Sequence, residues 1–92
     1  MNFFVFSFFL FYFIENYKSV IIQREHVRDK FEYWQNVVDK HSNYVDAYYQ
    51  VSYFALKLGQ KGKALEYVDR ALVLDPGFGE AEELRKVILD LR

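Results

Sequence analysis

Apolar side chains recur at helical intervals through most of this 92-residue chain. Tyr48, Val51, Ala55 and Leu58 fall on one face of a helix, and Ala64, Leu65, Val68, Ala71 and Leu72 on one face of a second. Gly59, between them, is free to take the left-handed conformation that ends a helix. Pro76 cannot continue one and biases Asp75 away from helical angles. Small residues at Ala55, Ala64 and Ala71 predict a close approach of the two helices. Downstream, Ala81, Leu84, Val87, Ile88 and Leu91 predict a third amphipathic helix. Its Glu80, Glu82 and Glu83 precede Arg85 and Lys86, the order the helix dipole favours.

Upstream, the helical pattern runs back to about Tyr17 and carries a second periodicity. Val20, Arg24, Val27, Phe31, Trp34, Val38 and His41 alternate spacings of four and three, the pattern of a coiled-coil seam interrupted by Arg24 and His41. Two readings stay open for residues 17–44: one long amphipathic helix packed on the hairpin, or a coiled coil that associates with its own copy.

The first fourteen residues carry no charge and hold seven of the ten Phe in the chain. A spanning helix needs about 20 apolar residues, and seventeen helical residues reach only about 25 Å. Tyr12 and Tyr17 at the interface and Lys18 reaching toward the headgroups make up part of that shortfall, and local thinning absorbs the rest. No basic stretch precedes the run and no small-x-small cleavage site follows it, which counts against a removed signal peptide. Residues 1–16 are therefore expected to anchor the chain in a membrane as a single span. Lys18, Arg24, Arg28 and Lys30 follow the run, so the positive-inside rule favours the cytoplasmic side for the remainder. The short span also raises the alternative that the chain is a fragment of a longer protein.

Residues 45–78 match the period and landmarks of one helical repeat. Tyr48 stands as the early aromatic, Val51 and Ser52 at a Leu-Gly pair, and Ala55 at a Tyr position. Gly59 marks the turn, Ala64, Val68 and Ala71 pattern the second helix, and Asp75-Pro76 closes the 34-residue unit. This stretch resembles a tetratricopeptide repeat, a helix-turn-helix unit of the solenoid class. Taken with the apolar run at the start of the chain, the resemblance implies an all-α fold in four parts. Residues 1–16 are the anchor, 17–44 a long helix or degenerate repeat, 45–78 the repeat, and 79–92 a C-terminal capping helix. Within 30–44, Trp34 takes the second-helix aromatic position and Ser42 the Pro position, while Lys30 and Val37 replace small residues. Glu82 and Arg85 replace the aromatic and Leu that would open a further full repeat, which is why 79–92 reads as a cap.

By the same resemblance, the first helix of the repeat lines a concave groove for a protein or peptide partner. The positions carried over are Asp46, Tyr49, Gln50, Tyr53 and Lys57. Tyr49 and Tyr53 occupy places where carboxylate-gripping members carry a basic residue and Asn, so the groove offered is aromatic. Other fates remain for it: the tyrosines pack on neighbouring helices, or the upstream helix or a second copy of the chain fills the groove.

Twelve basic and thirteen acidic residues nearly cancel, so no field of one sign draws the chain to nucleic acid. Cysteine is absent, which removes disulfides and thiolate metal sites. His26 and His41 lie fifteen residues apart with no ligand spacing, and both read as solvated. No phosphate loop, nucleophile motif or carboxylate pair is present, so neither catalysis nor a cofactor is expected. The function expected is protein association: a membrane-anchored scaffold module, with a homodimeric membrane-anchored coiled coil or a piece of a longer soluble array as alternatives.

Overall fold

The computed structural model describes residues 24–91. Among these the chain is four α-helices: α1 at residues 24–40, α2 at Val45–Lys57, α3 at Lys61–Leu74 and α4 at Gly79–Asp90. No helix among the described residues is long and apolar enough to cross a membrane. The expected anchor at 1–16, the start of the long helix and Val20 of its seam lie outside the described residues.

The helix boundaries repeat. α1 ends at residue 40 and α3 at Leu74, while α2 starts at Val45 and α4 at Gly79, each pair 34 residues apart. The connections repeat as well. Tyr44 and Phe78 precede α2 and α4 with nearly equal backbone angles, φ −84° and ψ 94° against φ −75° and ψ 93°. His41 N–H donates to Val37 and Tyr44 N–H to His41; one period on, Asp75 N–H donates to Ala71 and Phe78 N–H to Asp75. The two turns close with different side chains. The Tyr48 hydroxyl donates to the Ser42 carbonyl at 2.8 Å in the first, and Gly77 N–H donates to Asp75 Oδ1 at 3.1 Å in the second.

Gly59 ends α2 as its sequence position predicts. It has φ +77°, and Gln60 N–H reaches back to the Ala55 carbonyl while Gly59 N–H reaches Leu56. This pair of bonds around a left-handed residue is a Schellman closure, which satisfies carbonyls that the helix end would otherwise leave open.

The core is built on alanine. Ala47, Ala55, Ala64, Ala71 and Ala81 are fully buried, so α2, α3 and α4 approach closely, with Val51, Val68 and Ile88 filling the remaining space. Ser52 is fully buried among them, and its hydroxyl donates to the Ala64 carbonyl at 2.6 Å. That bond satisfies a polar group whose burial is otherwise costly.

α1 joins this core through its seam. Phe31 and Val38 are buried, and Val27, Trp34 and Val37 pack against the same cluster. Trp34 also meets Tyr33 and Tyr44 edge-on, and Lys63 of α3 lies 5.3 Å above the Phe31 ring. Arg24 and His41, the two interruptions of the seam, are exposed, and so is His26. The middle of the seam is thus occupied within one chain.

α4 differs from its expected pattern. Ala81, Leu84 and Ile88 are buried as expected, but Val87 is 51% and Leu91 43% exposed. The reason is geometric: α4 ends the described stack, so only its side toward α3 and α2 is covered.

Candidate functional site

Asp46, Tyr49, Gln50, Tyr53 and Lys57 form one stripe along α2, since their spacings are three and four residues. The structure leaves that stripe partly open. Asp46, Tyr49, Gln50 and Tyr53 are half-buried and Lys57 is exposed. Tyr49 and Tyr53 pack against the core by one edge, so the packing expected as an alternative is met in part.

Each tyrosine is held in place. The Tyr49 ring stacks at a tilt on Phe78, with centroids 5.4 Å apart. Tyr53 stands edge-on to Phe54 at 5.2 Å, and the Lys57 ammonium lies 4.7 Å over its other side. Phe78 is placed by the turn before α4, so the α3–α4 connection fixes the orientation of a ring on α2.

Burial raises the Tyr49 hydroxyl above its ordinary range, with Glu80, Tyr53, Asp46 and Glu83 adding to the effect in that order. Val87 follows Glu83 by one helical turn and is exposed. The Tyr49–Phe78 contact joins the α2 stripe to the turn that leads into α4.

Phe78, which stacks on Tyr49, was not among the expected groove residues. It lies one 34-residue period after Tyr44, whose ring meets Trp34 at the preceding turn.

A cleft lies on another side of the hairpin. Asp69, Leu72, Val73, Pro76, Glu82 and Arg85 line about 450 Å³. Arg85 Nε donates to Asp69 Oδ1 at 2.8 Å there, which ties α4 to α3 at the position that reads as a departure from a full repeat. Among the described residues no group of three or more His, Cys, Asp or Glu could hold a metal ion.

Comparison with protein-family models, with curated proteins and with solved structures gives no match for this chain.

Proposed function

We propose that this protein is a membrane-anchored, tetratricopeptide-type module that holds a protein partner along the α2 stripe of Asp46, Tyr49, Gln50, Tyr53 and Lys57, without catalysis. Support comes first from the 34-residue recurrence of helix ends, helix starts and turn bonds around residues 40–45 and 74–79. A single such unit leaves an apolar face uncovered, and stacked neighbours supply the cover. Here α1 and α4 are those neighbours. The aromatic stripe of Tyr49 and Tyr53 suits partner binding because tyrosine adds area and a hydrogen bond for little side-chain entropy. The anchor rests on the uncharged, Phe-rich run at the start of the chain. The burial of Phe31 and Val38 in the chain's own core bears against a coiled-coil seam as the main mode of association.

The test joins two measurements on full-length protein. Alkaline carbonate extraction compares it with a chain beginning at Tyr17, while a photo-crosslinking residue replaces Tyr53 in one form and exposed Glu32 in another. The expected result is full-length protein in the membrane pellet, the shorter chain in the supernatant, and an adduct to a different protein from position 53 alone. Extraction of both forms removes the anchor. Adducts only to a second copy of this chain remove the partner-binding role in favour of self-association.

A further inference from the structure

The turn between α1 and α2 borders a cleft of about 800 Å³, larger than the one beside Arg85. Tyr33 and Val37 of α1, with Tyr44, give it an apolar side; Lys40, His41, Ser42 and Asn43 give it a polar one. The two rings are held in place. Trp34 packs against the core and meets Tyr33 edge-on at 5.2 Å and Tyr44 at 6.4 Å, while Tyr33 stays 60% and Tyr44 46% exposed. Two exposed rings fixed beside one cleft differ from apolar residues scattered singly over a surface.

The polar side has its acceptors engaged and its donors open. The carbonyls of Val37, His41, Ser42 and Tyr44 accept from His41 N–H, Tyr44 N–H, the Tyr48 hydroxyl and Ala47 N–H in turn. The Lys40 ammonium, the His41 ring, the Ser42 hydroxyl, the Asn43 side-chain amide and the Asn43 backbone N–H donate to no protein group among the described residues. No carboxylate lines the cleft; Asp39 precedes Lys40 but is not part of the lining. The matching turn one period on makes the contrast sharper. There Gly77 N–H, the counterpart of Asn43 N–H, donates to Asp75 Oδ1 at 3.1 Å. His41 stands where Asp75 stands, so the first turn supplies no carboxylate of its own to that N–H.

We propose that this cleft binds an acidic residue of a partner protein, with its carboxylate on Lys40 and the Asn43 N–H and an adjoining apolar side chain against Tyr33 and Tyr44. The site is separate from the α2 stripe and does not depend on it. The sign of the charge follows from the donors, since hydrogen bonds to an ionised acceptor are the stronger kind. A basic segment would meet Lys40 and find no carboxylate. The size favours a peptide segment over a lone anion. Clefts of about 300–1,000 Å³ take ligands of several groups, and one carboxylate or phosphate leaves the aromatic side of this one untouched.

Fluorescence anisotropy on full-length protein in nanodiscs of neutral lipid tests this. One labelled, end-capped peptide is centred on Leu-Glu-Leu and the other on Leu-Gln-Leu. The Glu peptide should bind about tenfold more tightly than the Gln peptide. K40Q should weaken the Glu peptide about fivefold, the upper range for one exposed charge contact. H41D offers Asn43 N–H the carboxylate that Asp75 offers Gly77, and should weaken the Glu peptide about tenfold. Its melting temperature should stay level or rise, which tells competition for the N–H from misfolding.

Equal affinity for the two peptides overturns the proposal, as does binding by neither, or an affinity that K40Q or H41D leaves unaltered. Displacement of the Glu peptide by millimolar glycerol phosphate at constant ionic strength overturns it too, and gives the cleft to a phosphate group such as a lipid headgroup carries.

Discussion

Two glycines three residues apart carry opposite expectations. Gly59 sits at φ +77° with nothing within 4 Å of an added Cβ, so Gly59→Ala meets no clash and only the backbone cost of the left-handed region, about 1–2 kcal/mol. Gly62 lies in the first turn of α3, also with open space around it, and has no such constraint. Gly62→Ala should stabilise by up to about 0.5 kcal/mol by reducing the freedom of the unfolded chain and favouring helix. Urea unfolding of the two variants should therefore move the midpoint in opposite directions. A matched shift would mean that Gly59 is not held in the left-handed conformation. Tyr49 gives a second expectation at this scale. Its folded pKa is raised above 10.0, by burial first and then by the neighbouring carboxylates. A raised folded pKa leaves its stabilisation fully present below the unfolded value and lost as pH climbs through the folded value. Stability should thus be insensitive to this group near neutrality and decline above about pH 10. Tyr49→Phe removes that part of the alkaline decline while the other tyrosines still titrate. Equal alkaline slopes for the two proteins would show that Tyr49 is not desolvated.

The α3–α4 contact weighs packing against charge. Ile88 is fully buried, so Ile88→Ala should cost about 2–4 kcal/mol through lost apolar contact and the cavity left behind. The Arg85–Asp69 pair is nearly half exposed on both sides, and Arg85→Ala should cost less than about 1 kcal/mol despite the 2.8 Å geometry. Denaturant unfolding of the two variants checks the ranking, and a reversed order would mean that α4 is held by charge. The same helix marks how far the sequence could be read. The ends of α2 and α3 were legible, because Gly59 and Pro76 act locally and through the backbone. The core faces of α2 and α3 were legible from spacing alone. What spacing could not decide was which side of α4 faces the core, since Leu84 and Ile88 point one way and Val87 and Leu91 another, and both sets are apolar. Only the position of α3 settles that. The Ser52–Ala64 bond was equally out of reach, since it joins residues brought together by the hairpin rather than by the period. The α2 stripe followed from the repeat pattern, whereas the Tyr49–Phe78 contact needed the α3–α4 connection to pack back on α2.

At the scale of the whole molecule, stability in a stacked helical array is shared between near neighbours rather than across one central core. α2 packs along α3, α3 packs on α4, and α2 and α4 touch more sparsely. The fully buried residues concentrate in the α2–α3 hairpin, where Val51, Ser52, Ala55, Ala64, Val68 and Ala71 meet. Opening should therefore be graded. Amide hydrogen exchange should be slowest for Val51–Ala55 and Val68–Ala71 and fastest in the last turn of α4, where Leu89 and Leu91 are exposed. Ile88→Ala extends the test, because in a nearest-neighbour array its effect stays local. Exchange in α4 should rise sharply in that variant while the α2–α3 amides keep most of their protection. If every amide instead loses protection together, the helices form one cooperative unit, and α4 is then as rigid as the hairpin itself. A graded pattern has a functional consequence. Tyr49 and Tyr53 would sit on the firmer helix, while Phe78, which packs on Tyr49, leads into the more labile α4, so a partner on the α2 stripe should slow exchange at the start of α4 through that contact.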